Sequence, residues 1–219
     1  MATILAEIFK HHLWANLGLI DACAALDAGQ LATAAPGTYG TIGKTLVHLA
    51  VSDSGYVAAA TGRSVGTLLP QEPFPGFETL RQTLRESGEQ LILLAESEHN
   101  DRIVTGMRYG EAFSLAISVF MLQAVDHGTE HRTHIAASLT QLGIEPPELD
   151  GWGYAQRTAG SALHHPHPRT RGGAVTGWAV VDHAQAVSAF VIDEREVVFA
   201  VLFAPGGERA DDHAKGMAL

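Results

Sequence analysis

The stretch VFMLQAVDHGTEHRTHIAASL, Val119–Leu139, decides how the chain is read. Its apolar residues recur every three or four positions within a longer run, Phe113–Leu142, which predicts one long helix. His127 and His131 stand four apart, just over one helical turn. Both imidazoles therefore leave the same face, about 40° apart around the axis. Phe120 and Ala124 share that side and turn it inward. Neutral imidazole is the commonest transition-metal ligand, and an i,i+4 pair is a two-armed clamp. His134 lies about 20° from His127 in the other direction. Three arrangements are open on this helix: a 127/131 clamp, a 131/134 clamp, or a structural role for all three rings. Burying unpaired imidazoles is costly, and a shared metal ion is one way to satisfy them.

Three further helices follow from apolar periodicity: Thr3–Leu26, Ile42–Ala60 and Phe77–Ser97. The first carries Leu5, Ile8, Phe9, His12, Asn16, Leu19, Ile20 and Cys23 on one broad face. Thr41, after the turn-rich APGTYG (Ala35–Gly40), is the expected N-cap of the second. That second helix holds a third histidine, His48, within a stripe of Thr41, Thr45, His48, Ser52, Gly55 and Ala59. A solvated face would carry Lys and Glu, and this stripe has neither, so it reads as a cavity wall. Thr61–Gly76 reads as a Gly- and Pro-rich loop, and Asn100–Gly110 as extended chain broken by glycines, a short hairpin or crossover. Four amphipathic helices with one long connection predict an all-α, up-down-type four-helix bundle. Such a bundle can bring His48 to the other pair across its core.

After the bundle the composition changes. SALHHPHPRTRGG (Ser161–Gly173) reads as linker, and GWAVVD, AVSAFVID and EVVFAVLFAP read as two or three strands. The expected organisation is a bundle over 1–158, a linker over 159–175, and over 176–219 a small, β-forming extension with a disordered end. His164, His165 and His167 fall in the linker, where solvation rather than metal capture is the expected state.

Charge and composition exclude several classes. Residues 1–155 hold 8 Lys/Arg against 17 Asp/Glu, and the remaining 64 hold 6 against 7. An acidic bundle repels a phosphate backbone, so a nucleic-acid partner is not expected. No apolar run approaches the roughly 20 residues of a membrane span, and MATILAEIFKHH lacks the basic start of a signal peptide. One cysteine, Cys23, rules out a disulfide within the chain and reads as a small buried hydrophobe rather than a reactive thiol. The expected location is the cytoplasm. Gly128 follows His127, so the HExxH zinc-protease pattern is absent. Glu130 and Asp126 point off the histidine face, which leaves no clear general base for hydrolysis.

These motifs, in order, carry a resemblance: HHLWAN near the start, GTIGKTLVHLAVSD around His48, DHGTEHRTHIAASLTQLG, then PPELDGWGY. Residues from about Phe9 to Tyr154 resemble the DinB-like family of bacterial metal-binding bundles. The resemblance implies a four-helix bundle, usually a homodimer, with a divalent metal, zinc or nickel, on three histidines. Carried over by motif, the ligands are His48, His127 and His131. His134 stands where the family has glutamine and Thr133 where it has glycine, which leaves a fourth nitrogen or a shifted ligand set open. Similar proteins include low-molecular-weight thiol transferases and mycothiol-dependent maleylpyruvate isomerase. The implied function is thiol S-transfer to a small electrophile, with a low-molecular-weight thiol as cosubstrate and Arg132 or His12 orienting an anionic group. The alternatives are a non-catalytic, stress-associated metal-binding protein and a metal-dependent hydrolase.

Overall fold

Side-chain caps set where several helices begin. Thr3 accepts a hydrogen bond from the Ala6 amide and opens α1, Ile4–Cys23. Asp27 and Gln30 form a reciprocal capping box on the short α2, Ala28–Leu31. Thr41 accepts from the Lys44 amide and opens α3, Ile42–Thr61, which closes on Gly62 at φ 69°. Then follow α4, Phe77–Ser97, the strands β1, Ile103–Arg108, and β2, Glu111–Ala116, then α5, Ile117–Gln141, and α6, Gly151–Ala159. The computed structural model describes residues 3–62, 69, 73–98, 100–108, 110–159, 178–181, 186–193 and 196–203. No helix among them is long and apolar enough to cross a membrane.

The four long helices pack in a ring, α1 on α4, α4 on α3, α3 on α5 and α5 on α1. Two apolar clusters fill the interior. One gathers Leu19, Ile20 and Cys23 with Ile42, Leu46, Leu49, Leu80, Leu84, Ile135 and Leu139. The other gathers Ala6 and Phe9 with Val57, Leu91, Ala95, Ile117, Met121 and Ala124. Their order along each helix fixes direction: α1 and α5 run one way, α3 and α4 the other. Two consecutive helices that run the same way need a crossover rather than a tight turn, and the connection after Thr61 supplies it. Between the clusters every helix contributes buried polar groups: His12 and Asn16, Asp53, Ser87, and His127, His131 and Arg132. The interior is two dry ends and a polar waist.

Two expected boundaries move. The segment Phe113–Ala116, expected at the start of the long helix, belongs to β2. It pairs antiparallel with β1, from Ile103↔Ala116 to Arg108↔Glu111. The tight turn holds Gly110 at φ 84°, a conformation open to glycine, so the hairpin ladder takes the amides a helix would have used. The first helix ends at Cys23 rather than Leu26, and Ile8, expected on its apolar face, is exposed.

The chain divides into two compact units, Met1–Leu163 and His164–Leu219. In the second, β3 (Trp178–Val181), β4 (Ala186–Asp193) and β5 (Glu196–Phe203) form an antiparallel sheet in that order. Registers run Trp178↔Phe190 and Ala186↔Phe203, so the three β-branched, aromatic runs do form strands. The histidines of the expected linker, at 164, 165 and 167, lie outside the described residues.

Candidate metal centre

His48 on α3 meets His127 and His131 on α5 at the waist. The Nε2 atoms of His48 and His131 each lie 3.0 Å from Nε2 of His127. The three ligand atoms fall within 4.8 Å of one another. A tetrahedral ion bonded to imidazoles at about 2.0–2.1 Å spaces its nitrogens by about 3.3 Å, close to the two 3.0 Å pairs that meet at His127, so these donors suit a small divalent cation. The ring planes are steeply inclined, 56° between His48 and His127 and 78° between His127 and His131. Convergent nitrogens on inclined rings suit a shared point better than stacking does.

Protonation favours the same reading. Burial, followed by the neighbouring imidazoles, lowers the His127 pKa to about 4. Burial, followed by His48 and His134, lowers that of His131 to about 4. Burial lowers His48 as well. At neutral pH all three rings are uncharged and have lone pairs to give.

Behind the triad runs a chain of buried polar groups from three helices. His12 Nε2 donates to Asp53 Oδ2 at 2.9 Å, and Asn16 Nδ2 donates to the same oxygen at 3.0 Å. Arg132 Nη1 donates to Asn16 Oδ1 at 2.6 Å and its Nη2 to Thr129 Oγ1 at 2.9 Å. Asp53 is the one buried carboxylate among the described residues, and Arg132 the one buried cation. They are linked through Asn16 and balance each other inside the bundle. Three buried polar atoms have no hydrogen-bond partner: His12 Nδ1, Asp53 Oδ1 and His127 Nδ1. The Nδ1 atom of His127 is on the far side of the ring from the donor nitrogen, where metal-binding histidines usually take an orienting partner. Gly128 makes room for this layer. A Cβ there would fall 2.3 Å from His12 Cε1 and 3.0 Å from Arg132 Nη1.

The remaining expected residues fall into place around this core. His134 Nδ1 lies 3.2 Å from His131 Nδ1, on the side of that ring away from the convergence point. His134 therefore stands behind a ligand rather than among the three. His12 and Arg132 are both buried and held within the network. Cys23 is a buried thiol whose pKa burial pushes up to about 12, as a small hydrophobe of the core should be.

Three contributors went unnoticed in the sequence. Tyr39 stacks on His48 with ring centroids 4.2 Å apart and meets His131 edge-on at 5.0 Å. Its loop is pinned by the Ala35 amide, which donates to Ser138 Oγ on α5. Tyr56 meets His127 edge-on at 5.7 Å from the other side. Asp53 did leave a signal: apart from Lys44 it is the one formally charged residue in α3, in the middle of an otherwise apolar or small run. Tyr39 left none, because a loop has no periodicity to betray which side chain folds back.

The lower half of the small-residue stripe does line a cavity of about 550 Å³. Ser52, Gly55 and Ala59 face Phe113, Phe120 and the hairpin across it.

Known proteins agree with this architecture. No curated protein matches the chain. Among solved structures, a DinB-like protein from Bacillus cereus ATCC 10987 aligns with a TM-score of 0.50 at 20% identity, over 67% of this chain and 97% of that one. At that identity the likeness speaks for the fold. The sequence pattern of the DinB family matches residues 1–169, the whole bundle with its three histidines. The chain is a member of the DinB family.

Proposed function

We propose that the protein is a metal-dependent enzyme that transfers a low-molecular-weight thiol to a small electrophile, with zinc or nickel held by His48, His127 and His131. The observation that carries this reading is the convergence of three neutral imidazoles inside the bundle, with Nε2 of His48 and of His131 each 3.0 Å from Nε2 of His127 and all three ligand atoms within 4.8 Å. Three nitrogen donors leave coordination positions open, as catalytic sites do and closed structural sites do not. A divalent ion bound there supplies Lewis acidity that favours the ionised form of a thiol near neutral pH.

The chain's own groups do the rest. Tyr39 and Tyr56 pack against the imidazoles from opposite sides and fix their tilt. The network of Asp53, His12, Asn16 and Arg132 keeps α1, α3 and α5 in register behind the ligands. Transfer is favoured over hydrolysis because the one buried carboxylate among the described residues, Asp53, holds His12 and Asn16 through Oδ2. Neither Asp126 nor Glu130 joins the group around the three histidines. Among the described residues no carboxylate is therefore placed as a general base for water at the triad.

A non-catalytic metal-binding protein is the competing reading, and one experiment separates them. Full-length, metal-loaded protein is assayed for conjugation of a model electrophile with a panel of thiols. Thiol-dependent turnover that disappears in His48→Ala, along with the metal, supports transfer. Bound metal with no turnover on any thiol leaves the non-catalytic reading. A homodimer is part of the proposal too. It would cover a groove of about 460 Å³ between α1 and α5, lined by Leu5, Ile8, Met121, Leu122 and Val125. Sedimentation equilibrium of the chain against Leu122→Asp tests it.

A further inference from the structure

From the histidine triad the small-residue face of α3 continues, one and two turns on, into the 550 Å³ cavity. His48, Ser52, Gly55 and Ala59 follow one another at spacings of three and four, and the last three line the chamber. Across from them α5 does the same in reverse, since Phe120 lies two turns before His127 on the same face and also lines it. Tyr56 belongs to both places, edge-on to His127 and in the chamber wall. The hairpin forms the facing wall, and the cavity stays open to solvent on one side. A Cβ at Gly106 would lie 2.7 Å from the Phe113 ring, so glycine there is what lets that ring lie across the strand. The rings of Phe113 and Phe120 sit 5.5 Å apart.

We infer that this chamber holds the body of the electrophilic substrate, and that this body is uncharged and apolar: one or two rings, or a short branched chain. Its reactive end points toward the histidines. The volume lies within the range of about 300–1,000 Å³ typical of small-molecule sites. No charged side chain lines it among the described residues, whose polar groups there are the hydroxyls of Ser52, Tyr56 and Thr105. Against this described lining an anionic body would exchange its hydration for a few hydroxyls, which return far less than it loses. Arg132, the one buried cation among the described residues, is turned to Asn16 and Thr129. Gly55 has a further meaning here. A Cβ at that position meets nothing within 4 Å, so the helix carries a glycine where its backbone needs none and the chamber gains the space.

The inference rests on the metal-centre reading only for which end of the substrate reacts. The chamber itself is tested without metal. N-phenyl-1-naphthylamine, a neutral fluorescent probe, and its sulfonated relative 8-anilinonaphthalene-1-sulfonate are titrated into the full chain, metal-free and cobalt-loaded. The neutral probe should bind at one site, with the sulfonate weaker by at least about tenfold. Gly55→Leu should raise the neutral probe's Kd by at least about tenfold, because its side chain occupies the chamber. That variant gains helix propensity, so the fold should survive it. Leu122→Asp, in the α1/α5 groove, should leave binding unchanged. The visible bands of cobalt should be the same in Gly55→Leu as in the parent, and cobalt should broaden the bound probe's proton resonances where zinc does not. Equal binding of the two probes, or binding lost in Leu122→Asp and kept in Gly55→Leu, overturns the proposal. A chain that takes up no cobalt but binds the probe as described defeats the metal reading and leaves the chamber standing.

Discussion

The dry ends of the bundle and its polar waist are built from the same helices, yet they obey different rules. At the ends, Leu19, Leu46, Leu84 and Leu139 are fully buried among other apolar side chains, and no polar atom there asks for a partner. At the waist, about two turns away on α1, α3 and α5, a carboxylate, a guanidinium and three imidazoles are buried, and three of their polar atoms remain unpartnered. Apolar residues of similar volume would stabilise the bundle as well or better. A bundle that keeps this layer forgoes that stability, and the unpartnered atoms mark where.

The contrast can be broken most severely at Asp53. Asp53→Ala removes the counter-charge of Arg132 and the acceptor of His12 and Asn16, and should cost about 3–5 kcal/mol in urea unfolding. Leu84→Ala, in a dry end, should cost about 2–5 kcal/mol through its cavity. The two differ in a second readout: the leucine variant should keep its metal affinity once folded, while Asp53→Ala should lose part of it. Gly128→Ala drives a methyl against His12 and Arg132, and about 1–3 kcal/mol of overpacking should follow. A loss below about 0.5 kcal/mol there would mean that the layer is looser than its contacts imply.

Acid should distinguish the two regions without any mutation. His127 and His131 titrate near 4 when folded and near 6.5 when unfolded. Between those values the unfolded chain binds protons that the folded one refuses. The metal-free protein should therefore lose stability as pH falls from about 6.5 to 4, by roughly 1 kcal/mol or more per ring after allowing for partial contact with water. Denaturant midpoints at pH 7 and pH 5 would show it. The increment due to Leu84→Ala should be the same at both. The smallest effect is expected at Thr41, whose hydroxyl caps the helix that carries His48. Thr41→Ala should cost about 1 kcal/mol and leave the pH slope unaltered.

The sequence displays some of this contrast and hides the rest. Long apolar periodicity made α1, α3, α4 and α5 readable, because a helix that buries one face must repeat every three or four residues. The hairpin is half hidden: Phe113 and Leu115 alternate as a strand does, yet they abut a genuine helix whose apolar period runs on through them. The clamp at 127 and 131 was visible as a spacing, and His48 as a histidine in a face with no charge. What spacing cannot carry is which distant groups meet. Asp53 lies 41 residues from His12 and Arg132 lies 116 from Asn16, and only the packing of α1 against the other helices brings these pairs together.

The convergence of His48, His127 and His131 on one ion is tested most directly by cobalt(II) titration of the full chain with His164, His165, His167, His183 and His213 changed to Asn, so that no histidine of the second unit competes. One equivalent should bind tightly with the intense visible bands of a low-coordinate nitrogen site, and His127→Ala should abolish those bands while the far-ultraviolet helix signal stays. Cobalt bound equally well by His127→Ala, or weak octahedral bands alone in the parent, would contradict a shared site on these three rings.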